Sequence, residues 1–218
     1  MNTHRLAVLH TVGGLVERFK PMIAGRYPEL DTFHMLDESL LQDLMRHGPS
    51  EGITERVKLH VEAAERAGAT LLLFTCSSTS PAVDAIRPKT TLPIVKIDDA
   101  MAARAVTSGS RIGIMCTTNS TVSASRALIE QHAQWAGRSV AVETDLAGDA
   151  FKALSAGDRG THDAIVSERA QALAARSDVL VLAQASMAHL RDALAEQCEV
   201  PVLASPELCV DDLGNHLR

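Results

Sequence analysis

Aromatic residues are scarce in this chain: one Trp, one Tyr and four Phe make up 3% of 218 residues. That leaves little with which to stack nucleobases or a flavin ring. No run of about 18 apolar residues occurs, so no membrane span is read. The opening Met1-Asn2-Thr3-His4-Arg5 leads straight into an apolar segment and lacks a secretory pattern. Basic stripes are missing as well, and the formal charge of −6 weighs against nucleic acid as a partner. The four cysteines, Cys76, Cys116, Cys198 and Cys209, include no CxxC pair, and no tight His/Cys cluster suggests a metal. A reduced, cytoplasmic setting is therefore expected. Gly13-Gly14 after the first strand is not a GxGxxG fingerprint, and neither a GxxxxGK[ST] loop nor a GxSxG elbow is present.

What the chain does have is repetition. Thr70-Leu71-Leu72-Leu73-Phe74-Thr75-Cys76-Ser77-Ser78 returns as Asp178-Val179-Leu180-Val181-Leu182-Ala183-Gln184-Ala185-Ser186, with Cys76 matching Gln184 at an offset of 108. Leu92-Pro93-Ile94-Val95 returns as Val200-Pro201-Val202-Leu203 at the same offset, and Leu6 to Thr11 as Ile112 to Thr117 at an offset of 106. Short β-rich runs alternate with helical patterns throughout, as in βαβ units around a parallel sheet. The expected fold is α/β, with two pseudo-symmetric lobes, each a flavodoxin-like parallel sheet flanked by helices. The first lobe spans 1–98 and the second 99–205, and a last helix over 206–218 is expected to pack back onto the first. No low-complexity linker separates them, so the lobes are expected to share an interface and to face one cleft.

The first copy reads as strands over 6–10, 32–36, 70–75 and 94–97. Helices carry Leu15, Phe19 and Ile23, then Leu40 and Leu44 behind an Asp37 cap, then 54–67, and then a helix opened by Ser80-Pro81. Asp98 or Asp99 opens a linking helix. The second copy reads as strands over 112–115, 139–143, 178–183 and 202–204, and helices over 123–135, 149–155, 161–176, 187–197 and 206–217.

In open parallel sheets, ligands bind beyond the carboxyl ends of the strands. That rule selects four tips: His10-Thr11, Cys76 to Ser80, Cys116 to Thr121, and Gln184 to Met187. Cys76 follows an apolar strand and precedes a helix start, where free N–H groups favour a thiolate. The hydroxyls of Ser77, Ser78 and Thr79 beside it suit a carboxylate; a buried cysteine with a serine-rich cap is the other reading of the segment. Thr117, Thr118, Asn119, Ser120 and Thr121 form a second polar cluster, fit either for a second carboxylate or for capping a helix. Thr11 belongs to the same set of substrate contacts. His10 and Cys116 occupy matching tips. His10 suits a proton carrier near neutral pH or a structural histidine, and Cys116 is a second candidate for the chemistry. Gln184 cannot act as an acid or base, but its amide, with Ala185 and Ser186, could hold a substrate carboxylate. Cys198 and Cys209 read as structural.

Taken together, the two-lobe duplication, Thr75-Cys76-Ser77-Ser78-Thr79 after one strand and Val181-Leu182-Ala183-Gln184-Ala185-Ser186-Met187 after its mate resemble the aspartate/glutamate racemase superfamily over essentially the whole chain. That group includes amino-acid racemases, hydantoin racemase, maleate isomerase and arylmalonate decarboxylase. The resemblance implies cofactor-independent chemistry at a carbon next to a carboxylate. In two-cysteine members one thiolate removes the α-proton and an opposite thiol returns one, each from its own lobe. Cys76 matches the first-lobe cysteine, whereas the second falls at Gln184, a departure from the family pattern. A symmetric two-thiol racemase is thereby excluded. Three readings remain: a racemase or isomerase of a small amino acid or dicarboxylic acid using Cys76, a lyase that decarboxylates a malonate-type acid, and a carboxylate-binding protein without turnover. The expected partners are the small carboxylate and a second copy of the chain, in a homodimer, with no nucleic acid, no membrane and no metal.

Overall fold

The computed structural model describes residues 4–217; Met1-Asn2-Thr3 and Arg218, which were included in the expected first lobe and last helix, lie outside the described residues. The chain divides into two compact units. One reaches to Ile97 and resumes at Cys209, and the other is Asp98–Leu208.

The first unit contains β1 (Arg5–His10), α1 (Gly13–Arg26), β2 (Asp31–Leu36), α2 (Glu38–His47), α3 (Glu51–Arg66), β3 (Leu71–Phe74), α4 (Ser80–Ile86) and β4 (Ile94–Lys96). All strand pairs are parallel and the order is β2-β1-β3-β4, the leading part of the 2-1-3-4-5 flavodoxin-like order. Leu6 to Leu9 and Leu71 to Phe74 are at most 1% exposed, as strands covered on both faces must be. Ala7, Leu9, Leu72, Phe74 and Ile94 meet Leu40, Leu44, Val57, Val61, Ala64 and Val83 in one core. Each large side chain buried there contributes about 1.5–3 kcal/mol. α3 shows how local chemistry sets the ends. The Ser50 hydroxyl accepts from the Ile53 N–H, and Gly68, at φ 81°, lets the chain leave the helix with its N–H on the Glu65 carbonyl.

The second unit repeats the plan with α5 (Asp99–Ser108), β5 (Arg111–Cys116), α6 (Asn119–Trp135), β6 (Ala141–Leu146), α7 (Gly148–Ser155), α8 (Arg159–Ala174), β7 (Val179–Leu182), α9 (Arg191–Gln197) and β8 (Val202–Ala204), in the order β6-β5-β7-β8. One face of its sheet packs on α8 and α9 and the other on α5 and α6. Gly113 lets α8 approach closely, because a Cβ there would sit 2.5 Å from Ser177 Oγ and 2.8 Å from Leu173 Cγ. α10 (Ser205–His216) belongs to the first unit from Cys209 onward. There the Asp211 carboxylate pairs with Arg26 at 3.1 Å and its carbonyl accepts from the Tyr27 hydroxyl.

Several element bounds differ from the sequence expectation. α6 begins at Asn119 rather than Ser123, because Thr118 is extended and the small polar residues after it fit the first helical turn. The expected helix over 187–197 is a 3₁₀ segment, Ala185–Leu190, followed by the short α9. A 3₁₀ turn over Ser77–Thr79 likewise precedes α4, so Ser80 is already helical and Pro81 is its second residue. β6 runs over Ala141–Leu146, later than the expected 139–143.

Candidate functional site

Cys76 is extended (φ −124°, ψ 109°) and stands between β3 and the 3₁₀ turn that it opens. Parallel pairing sets Leu9 against Phe74, and the Thr75 N–H donates to the Leu9 carbonyl at 3.0 Å, so Thr11 and Cys76 leave adjacent strand ends. The turn is closed by the Thr79 N–H and hydroxyl, which both donate to the Cys76 carbonyl, at 3.2 and 2.8 Å. Cys76 keeps partial exposure, while Ser78, Thr79 and Ser80 are buried and Ser77 is half-buried. The Thr11 hydroxyl is buried without a hydrogen-bond partner among the described residues, and its influence on the Cys76 thiol favours the charged form.

Burial raises the Cys76 thiol above its ordinary pKa. The Thr11 hydroxyl, the N–H groups of Thr79 and Ser78, and the Thr79 hydroxyl work in the opposite direction. The expected donors are therefore present, but desolvation outweighs them, and the thiol is protonated in the resting protein. That gives the site a proton to deliver.

His10 is fully buried. Its Nδ1 lies 2.9 Å from the Thr75 hydroxyl and its Nε2 lies 2.8 Å from His34 Nδ1. The Thr75 hydroxyl is also 3.1 Å from the Leu9 carbonyl, to which it donates, so the network fits a His10 that donates from Nδ1 and accepts at Nε2. Burial, His34 and Lys20 lower its pKa to about 4. At neutral pH His10 is thus an uncharged brace between the tips of β1, β2 and β3, with both nitrogens engaged. His34, which completes the brace, has no signal in the sequence: only the pairing register brings it to the same face.

A second feature that sequence reasoning missed anchors α4. Lys96, 1% exposed at the end of β4, places Nζ 2.8 and 2.9 Å from the two oxygens of Asp84. A buried ammonium requires such a partner. The pair fixes α4, and with it the turn that follows Cys76, against the sheet.

In the second unit the matching tips are wired differently. Thr117 donates its N–H to Gln184 Oε1 at 2.6 Å and its hydroxyl to the same oxygen at 3.0 Å. The Gln184 carbonyl is thereby used within the unit, and only its NH₂ is left to donate outward. Thr118 Oγ1 meets Ser120 Oγ at 3.3 Å and Thr121 Oγ1 at 2.9 Å, and no side chain caps the first turn of α6. Asn119 is exposed, Thr121 is buried, and Ala185 and Ser186 are half-buried. Cys116 is fully buried, and burial with the Asp98 and Asp145 carboxylates pushes its thiol up to about 12. It is a neutral core side chain at any physiological pH.

The structure thus brings Thr11, Cys76, Ser78 and Thr79 together in one unit, and Thr117 and Gln184, with Thr118, Ser120 and Thr121 beside them, in the other. Among the described residues no group of three or more His, Cys, Asp or Glu is placed to hold a metal ion, and no helix is long and apolar enough to cross a membrane.

The sequence pattern of a family described as Asp/Glu/Hydantoin racemase matches residues 15–213. Solved structures share the fold. Allantoin racemase from Klebsiella pneumoniae is 20% identical with a TM-score of 0.67, covering 97% of this chain and 86% of its own. Glutamate racemase from Thermus thermophilus in complex with β-chloro-D-alanine is 16% identical with a TM-score of 0.72, covering 99% and 81%. Picrophilus torridus aspartate racemase is 11% identical with a TM-score of 0.73, covering 98% and 94%. No curated protein sequence matches this chain.

Proposed function

The chain belongs to the Asp/Glu/Hydantoin racemase family, and from that premise we propose that it is a cofactor-independent racemase or isomerase acting at a carbon next to a carboxylate of a small amino acid or dicarboxylic acid, with Cys76 as the group that moves the proton. The observation that carries this reading is the setting of Cys76: a half-buried residue at a strand tip that opens a hydroxyl-rich turn, where the Thr11 hydroxyl and the N–H groups of Thr79 and Ser78 favour the charged thiol against its burial. Those donors stabilise negative charge on sulfur, and the hydroxyl-rich turn suits a carboxylate. As base, Cys76 first loses its own proton to water, and the thiolate then takes the α-proton while the electron pair passes into the neighbouring carboxylate; solvent returns a proton to the carbon, and the thiol releases the abstracted proton to water, which restores the base.

The protonated resting thiol favours a second reading, a lyase. There the C–C bond to one carboxylate of a malonate-type acid breaks, carbon dioxide leaves, and the electron pair left on carbon takes the Cys76 proton. The resulting thiolate recovers a proton from water. Gln184 at the matching tip supports one-thiol chemistry of either kind, since an amide is neither acid nor base at neutral pH.

The test is α-proton exchange with D₂O, followed by NMR over a panel of amino acids, dicarboxylic acids and hydantoins, with carbon dioxide release followed for malonates. Cys76→Ser is expected to fold and to lose turnover altogether. Unchanged turnover in that variant removes Cys76 from the mechanism, and binding of the panel without exchange or carbon dioxide release points to a protein that has lost catalysis.

A further inference from the structure

The two copies solve the same local problem at matching positions. In the second unit, Met115 pairs with Leu182, and two residues further on Thr117 meets Gln184, with its hydroxyl 3.0 Å from the side-chain acceptor. In the first unit, Leu9 pairs with Phe74 and its carbonyl accepts from the Thr75 N–H, so Thr11 and Cys76 each lie two residues beyond a paired position, as Thr117 and Gln184 do. In place of the Gln184 amide stands a thiol. Thr11 is 3% exposed and its hydroxyl has no hydrogen-bond partner among the described residues in the resting protein. A buried hydroxyl is costly to leave unpaired, and the Cys76 thiol is the group this one influences. His10, one residue before Thr11, is locked to Thr75, one residue before Cys76, at 2.9 Å. The two tips are therefore held side by side from behind.

We propose that Thr11 is a positioning residue whose hydroxyl donates to the Cys76 sulfur and holds it in the thiolate form during turnover. This rests on the function proposed above and gives Thr11 a task other than contacting substrate. The direction of the Thr11 influence on the thiol, toward the charged form and against burial, agrees with it. So does the arrangement in the second copy, where the matching threonine, Thr117, donates to Gln184 at the position of the cysteine.

The experiment measures the pH dependence of Cys76 alkylation by iodoacetamide on the full chain, resolved by mass spectrometry, in Thr11→Val, Thr11→Ala and Thr11→Ser. Valine keeps the shape of threonine and removes the donor. A hydrogen bond to a charged acceptor is worth enough to change the thiolate fraction at a given pH by roughly ten- to hundredfold. Thr11→Val and Thr11→Ala should move the alkylation midpoint to higher pH by that factor, and Thr11→Ser should restore it. The kcat/KM profile should shift its rising limb in step. An alkylation midpoint in Thr11→Val equal to that of the parent protein overturns the proposal. So does loss of cooperative melting in both Val and Ala variants, which would make Thr11 a structural residue. Turnover that survives Cys76→Ser sinks the proposed function instead, and leaves the alkylation result standing by itself.

Discussion

Acidification should unlace the strand tips behind Cys76. His10 titrates near its ordinary 6.5 in the unfolded chain, whereas burial, His34 and Lys20 hold it at about 4 in the folded one. Between those values the unfolded state carries a proton that the folded state refuses, so stability is fully present above pH 6.5 and is lost as pH falls toward 4. Each pH unit in that window removes about 1.4 kcal/mol, so the whole window amounts to roughly 3 kcal/mol from this residue. His34 is lowered in the same direction by burial and Lys20, and adds to the loss. The depressed carboxylates act elsewhere. Asp37, held low by Ser39, His60 and Arg56 against its own burial, contributes stability that disappears only below its ordinary value of 3.8. Urea unfolding followed by circular dichroism at half-unit steps from pH 7 to pH 4.5 separates the two regimes. His10→Asn keeps a donor toward Thr75 and cannot titrate. It should be less stable than the parent at pH 7, by about 1–3 kcal/mol for the lost bond and volume, yet show a flatter slope below pH 6.5. Equal slopes for parent and variant would refute the assignment of a neutral, buried imidazole.

The Lys96–Asp84 pair gives an asymmetric prediction: Asp84→Ala takes both carboxylate contacts from a buried ammonium and should cost about 3 kcal/mol, whereas Lys96→Met removes the buried charge itself and should cost about 1 kcal/mol. The same urea titration reads both, and the reverse order would contradict the pairing. Gly113→Ala drives a methyl into Ser177 Oγ and Leu173 and should destabilise the protein by about 1–3 kcal/mol, seen as a lower melting temperature with β5 still paired.

The fold was legible because the chain states its plan twice. The Cys76-to-Gln184 offset identified β3 and β7 as mates, and both emerge as the third strand in the 2-1-3-4 order of their own sheet. Segments lacking strong periodicity were harder to place. β6 alternates only weakly between exposed and half-buried positions, so its bounds slipped, and Asn119 to Thr121 look like a loop until Thr118 is seen to be extended ahead of them. For the candidate site, sequence spacing picked out the tips but not their wiring. The meeting of His10 with His34, of Thr117 with Gln184 and of Lys96 with Asp84 depends on strand register and helix docking, which composition does not encode. The state of the Cys76 proton was further out of reach, because it follows from a contest between enclosure and hydrogen bonding whose sign depends on the packed surroundings.

The Asp211 contacts with Arg26 and Tyr27 join residues 185 and 184 positions apart. On a ribosome, the strands of the first unit would emerge early and then wait, with the end of α1 lacking these partners, until Asp211 has been made. Closing so long a loop is a slow step. Maturation of the half that carries Cys76 therefore waits on the synthesis of Asp211, and a chain cut before that residue would leave this half unfinished.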